Sequence, residues 1–143
     1  MTAALVVDAS IALARALPDE SSSYADAVLA AVERQGLRVP ELWAREVADG
    51  LVVAYLRKRI TAADEQAFLI ALPRLHIHIE EAGSALSIIR DGTAAAMRHG
   101  LTAYDAAYVE LASRENLSIA TLDTAMSKAA EHSSVTISGS RNK

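Results

Sequence analysis

The chain has 143 residues, a hydrophobic fraction of 52%, no cysteine and a formal net charge of −4. This length suits a single domain whose core needs no covalent staples, and the composition excludes intrinsic disorder. The missing cysteines exclude disulfides, thiolate catalysis and Cys-ligated zinc, and they suit a reducing cytoplasm. The acidic balance weighs mildly against a nucleic-acid binder.

Leu5, Val6 and Val7 form a short apolar, β-branched run, the pattern of a strand buried on both faces, and the run ends in Asp8. Asp8 cuts the run short and no basic residue precedes it, so it does not read as a secretion signal. No apolar run approaches the length of a membrane span. Ser10 is expected to cap a short helix, SIALARAL, that stops at Pro18. A longer helix is predicted in DESSSYADAVLAAVERQG, where Val28, Leu29 and Val32 share one stripe and Gly36 ends it. Residues 37–39 read as a second short strand. Pro40 opens the longest helical run, PELWAREVADGLVVAYLRKR. Leu42, Trp43, Val47, Leu51, Ala54 and Tyr55 give that run a broad apolar face, and Gly50 weakens it slightly.

Thr61 and Asp64 spell a capping box ahead of AADEQAFLIAL, which Pro73 closes. LHIHIEE alternates strictly, with Leu75, Ile77 and Ile79 on one face and His76, His78 and Glu80 on the other. That predicts a half-exposed strand with both histidines on an edge-strand face. SALSIIRDGTAAAMRHG reads as a helix with an irregularity at Asp91-Gly92. LTAYDAAYVELASREN follows as a helix capped by Thr102, with Tyr104 and Tyr108 read as core and interface. LSIATLD is another apolar strand ending in an acid, TAMSKAAEH a short helix, VTI a last strand and SGSRNK a polar tail. Strands separated by helices predict an α/β fold, a largely parallel sheet with helices on both faces. The expected organisation is one domain over residues 1–138 with a polar tail at 139–143.

In open α/β sheets, ligands bind beyond the carboxyl ends of the strands. Two strands end in acids, Asp8 and Asp123, and side by side they would share one crevice. Two further acids lie early in helices that follow strands: Glu46, at the edge of an apolar face, and Asp105. Each has a plain structural explanation. Asp105 can complete a capping box with Thr102, Asp123 can cap the helix after it, and Glu46 can be a surface charge. Asp8 is the hardest to explain this way, because Ser10 is better placed to cap. Together, several close carboxylates repel, and one or more would take up protons. A hard divalent cation relieves that repulsion, and Mg²⁺ or Mn²⁺ accepts such oxygen donors. Such a site activates water and neutralises charge developing on a phosphodiester. No cysteine and no spaced histidine pair on a helix offers a zinc site instead.

VVDAS, VPELWAREVADGL, LTAYDAAYVELA and IATLDTAMSKAA, in this order and spacing, resemble PIN domains. They resemble especially the VapC-like toxins of bacterial and archaeal toxin–antitoxin pairs, over nearly the whole chain. It implies a three-layer α/β/α sandwich around a mostly parallel sheet and an Mg²⁺- or Mn²⁺-dependent endoribonuclease. It also implies inhibition by a small VapB-like antitoxin encoded next door, and homodimerisation. Asp8, Glu46, Asp105 and Asp123 match the family's four acids, as metal ligands and catalytic residues, and Ser10 and Thr121 match small hydroxyl residues that line its site. Asp49 stands where the family often carries Asn and adds an acid one turn beyond Glu46.

On this reading, water activated by one or two metal ions attacks an RNA phosphodiester in line, leaving a 5′-phosphate and a 3′-hydroxyl. Arg57, Lys58 and Arg59 are candidates to hold the RNA backbone, although the helix dipole alone explains cations at a C-terminus. The apolar surplus of Trp43, Leu51, Val52, Val53, Tyr55 and Leu56 reads either as a helix packed on two sides or as a groove for an antitoxin helix or strand. In the second case an antitoxin Arg would enter the acid pocket. Two other functions stay open from the sequence: a non-catalytic RNA- or partner-binding module, and a DNA-directed nuclease with the same acidic site.

Overall fold

All three side chains of the first strand, β1 (Leu5–Val7), are buried. In the computed structural model, which describes residues 3–20, 22–133 and 135–139, β1 is central. It pairs in parallel with β2 (Leu37–Pro40) on one side, where Leu5 faces Leu37, and with β4 (Ile119–Ala120) on the other, where Val6 faces Ile119. β3 (Ile77–Glu80) pairs in parallel with β2 and forms an edge, giving the order β3-β2-β1-β4. Neighbours on both sides and helices above and below explain why β1 is apolar throughout.

Among the described residues the sheet is joined by seven α-helices: α1 (Ala9–Ala16), α2 (Ser23–Gln35), α3 (Leu42–Leu56), α4 (Ala62–Ala71), α5 (Ala85–His99), α6 (Ala103–Glu115) and α7 (Thr124–His132). α1 packs against α2, α3 and α4, whereas α6 lies across β1, β2 and β4 and touches α5 and α7. This is the expected three-layer α/β/α sandwich. The connections step from β1 through β2 to β3, then return to place β4 beyond β1. The reversal makes the gap between β1 and β4 a topological switch point, where open sheets of this kind form a crevice. Among the described residues no helix is long and apolar enough to cross a membrane.

The structure departs from the sequence reading in several places, each with a local cause. The predicted helix before Gly36 begins only at Ser23, capped by Ser22, because Pro18–Glu20 forms a separate 3₁₀ turn. The predicted strand over LHIHIEE begins two residues late. Leu75 belongs to a 3₁₀ turn containing Pro73, and His76 takes a left-handed conformation with φ 49°. α5 runs through Asp91 and Gly92 as one helix, so the expected irregularity is absent. VTI forms no strand, only a bridge from Ile137 to Ile119. Residues 140–143 of the expected tail lie outside the described residues. Gly50, read as a weakness, sits where α3 crosses α1, and a Cβ there would overlap the Leu13 side chain. The glycine allows the two helices their close approach.

Candidate active site

Asp8 closes β1, and its backbone N–H donates to the Ala120 carbonyl of β4 at 3.3 Å. It takes the N-cap position of α1, the place expected for Ser10. Ser10 is instead the second helical residue, and its hydroxyl donates to Asp8 Oδ1 at 2.6 Å. Thr121 donates to Asp8 Oδ2 and accepts from the Asp123 N–H at 3.0 Å. One buried hydroxyl thus links the acids at the ends of two neighbouring strands. Asp8 is only 6% exposed and Thr121 fully buried.

The other acids come from separate elements. Asp123 Oδ1 accepts from the Met126 N–H at 2.9 Å and caps α7, so its capping explanation holds, with Oδ2 left over. Asp105 lies in the first turn of α6, where its N–H donates to Thr102 Oγ1 at 3.1 Å. Its carboxylate makes no bond back to the Thr102 N–H, so the expected capping box is only half formed. Glu46, on α3, accepts at Oε1 from the Tyr108 hydroxyl at 2.5 Å.

Asp8, Ser10, Glu46, Asp105, Tyr108, Leu122 and Asp123 line one open pocket of about 360 Å³ beside the switch point. Burial raises the Asp8 carboxyl above its ordinary value and the Asp123 charge adds to this, against the Ser10 and Thr121 hydrogen bonds. Burial also raises Glu46, helped by the charges of Asp105 and Asp8 and opposed by Tyr108. Asp105 is raised by burial and then by Asp123. Acids on four elements therefore feel one another, the condition that a cation relieves. Among the described residues, no three acidic or histidine side chains are drawn together tightly enough to clasp an ion by themselves.

Curated relatives match most of the chain. Ribonuclease VapC3 of Pyrobaculum aerophilum is 34% identical over 124 residues, 83% of this chain and 88% of that protein. Ribonuclease VapC9 of Mycobacterium tuberculosis is 37% identical over 123 residues, 86% and 88% of the two. The chain belongs to the VapC ribonuclease family. No family model matches it. Solved structures share the fold. PAE2754 from Pyrobaculum aerophilum aligns with a TM-score of 0.66 at 22% identity over 90% of this chain and 81% of that one. FitAcB from Neisseria gonorrhoeae aligns with a TM-score of 0.60 at 18% identity over 93% and 95%. The resemblance to PIN domains, and to VapC proteins among them, is thus upheld.

Other residues singled out in this VapC-family sequence lie away from the pocket. Asp49 is exposed and does not line it. Arg57, Lys58 and Arg59 follow α3 at its far end, about 16 Å along the axis from Glu46 at 1.5 Å per residue. Arg59 is already bound to Asp19 at 2.7 Å and Glu20 at 3.2 Å. His76, beside edge strand β3, and His78, on it, are both exposed. Tyr104, read as core or interface, is 68% exposed. The sequence reading missed Tyr108 and Leu122 as lining residues. Tyr108 lies three residues beyond Asp105, and that helical spacing was the signal that could have found it.

Proposed function

We propose that this VapC-family chain is a divalent-cation-dependent endoribonuclease in which Asp8, Glu46, Asp105 and Asp123 hold Mg²⁺ or Mn²⁺. The observation that carries this reading is the meeting of four carboxylates from four elements in one pocket, three of them raised above their ordinary values. The donors are all hard oxygens. Their loose spacing suits an ion that takes one or two carboxylates directly and keeps several waters. Such a cation, when bound, supplies the Lewis acidity that activates water and offsets charge on a phosphodiester. The chain supplies the placement. Ser10 and Thr121 fix both oxygens of Asp8, the α7 cap fixes one oxygen of Asp123, and the open pocket admits the RNA backbone. The products are a 5′-phosphate and a 3′-hydroxyl.

Purified chain incubated with RNA in Mg²⁺, Mn²⁺ or EDTA, beside Asp8→Asn, tests this. Cleavage is expected with either metal and lost in EDTA and in the variant. Cleavage that persists in EDTA or survives the substitution overturns the reading. RNA binding without cutting would make the chain a binding module, and cleavage of a single-stranded DNA arm alone would make it a DNA-directed nuclease.

A VapB-like antitoxin and a second copy are the proposed protein partners, in the cytoplasm. Trp43, Val47, Leu51, Val52, Tyr55 and Leu69 line an apolar groove of about 460 Å³ between α3 and α4, which supports docking of an antitoxin helix or strand. Leu86, Ile89 and Met97 are 66–78% exposed on α5, which supports pairing with a second copy. Val52→Glu is expected to abolish complex formation with a co-produced antitoxin while leaving the melting curve unchanged.

A further inference from the structure

Tyr108 is 1% exposed, among the largest fully buried side chains of the fold, yet its hydroxyl ends in the acid pocket. It sits on α6, three residues beyond Asp105, so both side chains reach the pocket from one helix. Its single proton goes to Glu46 Oε1 at 2.5 Å, across 62 positions of sequence. Glu46 has no other hydrogen-bond partner among the described residues, whereas Asp8 has two hydroxyl donors and Asp123 a helix N–H. The carboxylate is carried on a flexible side chain in the second turn of α3, and free rotation would let it leave the pocket.

We infer that Tyr108 is the positioning residue for Glu46: its buried hydroxyl holds Oε1 and leaves Oε2 as the oxygen turned toward a cation. The inference rests on the proposed cation-dependent reading and adds to it a residue outside the four acids. The phenol acts through Glu46, so it does not need to touch RNA or the ion. Its ring also packs in the core, and this structural part is separable because phenylalanine keeps the ring and removes only the donor. Losing an outer partner of a ligand typically costs about 10- to 100-fold in metal affinity.

The test compares metal-free wild-type chain with Tyr108→Phe, Glu46→Gln and the double variant. Mn²⁺ binding is read from the loss of the free Mn²⁺ resonance signal without RNA, and cleavage of a mixed-sequence RNA oligonucleotide is followed against Mn²⁺ concentration. Tyr108→Phe is expected to melt like wild type, to bind Mn²⁺ about 10-fold or more weakly and to need correspondingly more Mn²⁺ for half-maximal cleavage. Its KM for RNA at saturating Mn²⁺ should be unchanged. In the Glu46→Gln background the same change should add nothing. Equal Mn²⁺ affinity in wild type and Tyr108→Phe overturns the inference alone. So does a full loss from Tyr108→Phe on top of Glu46→Gln, because the phenol would then act on something other than Glu46. If the wild-type chain binds no Mn²⁺ and cuts without it, the cation reading falls and this inference falls with it.

Discussion

The chain spells T-x-x-D twice before a helix, and the two copies end differently. At Thr61 and Asp64 both halves of the capping box form. Thr61 Oγ1 accepts from the Asp64 N–H at 3.1 Å, and Asp64 accepts from the Thr61 N–H at 2.8 Å. Hydrogen bonding to the carboxyl from the Thr61 backbone N–H, and then from the Thr61 side chain, holds Asp64 below its ordinary value. At Thr102 and Asp105 only the threonine half forms, and the Asp105 carboxyl stands above its ordinary value through burial and the Asp123 charge. The same local pattern therefore closes on itself at the surface and opens toward a partner at the switch point. A capping motif cannot reveal which of these its acid will do, because the difference is made by strands far away in sequence.

The widest separation between the two acids should appear in activity. On the proposed reading, Asp105→Asn lowers the RNA cleavage rate on the order of 100-fold or more, the size seen when one charge-stabilising group is removed, and Asp64→Asn leaves it unchanged. An equal effect at both positions would erase the distinction. Melting temperatures should split in opposite directions. Asp64→Asn lowers the midpoint by weakening a cap, and Asp105→Asn raises it by removing an acid held under repulsion.

Mn²⁺ should sharpen the contrast next. At about 100 times its dissociation constant, a ligand of the folded state alone adds about 2.7 kcal/mol, a rise of several degrees in a domain of this length. The rise should survive Asp64→Asn and shrink in Asp105→Asn.

Acid titration of the metal-free chain follows. Asp8, Glu46 and Asp105 are raised on folding, so their contribution is full at acid pH, below the ordinary carboxylate range. It is lost as the pH climbs through their raised values. Asp64 is lowered, so its contribution is present at neutral pH and lost as the pH falls through its lowered value. Melts without metal should therefore fall in midpoint as the pH rises from the ordinary carboxylate range through those raised values. Asp8→Asn should flatten that slope, and a slope unchanged by the substitution would contradict the assignment. The smallest effect should be common to both sites: Thr61→Ala and Thr102→Ala each remove an N-cap hydroxyl and cost about 1 kcal/mol.

Much of the fold was legible because buried parallel strands are apolar throughout and helices carry their own caps. The runs at Leu5–Val7 and around Ile119, and the caps at Thr61 and Thr102, all follow from nearest neighbours in sequence. The failures have the opposite character. Leu75 and His76 alternate with their neighbours as a strand would, but the turn at Pro73 delays the strand to Ile77. Ser10 looked better placed to cap the helix, whereas Asp8 takes the position and is held by Thr121, 113 residues away. The four acids were visible singly, and their meeting in space depended on the order in which strands pair. Tyr108 stayed hidden because its hydroxyl has meaning only once α3 and α6 are brought together across the sheet.

Gly50 lies four residues after Glu46 on α3 and meets Leu13 on α1, the helix that Asp8 begins. The missing side chain at position 50 is therefore half of a pair. Across the family this predicts covariation: a relative carrying alanine or serine at position 50 should carry a smaller residue than leucine at position 13, and the two columns should change together. The pair offers a handle on the spacing of two pocket acids that touches neither of them. A Gly50→Ala, Leu13→Ala double variant should recover the melting midpoint that Gly50→Ala alone loses.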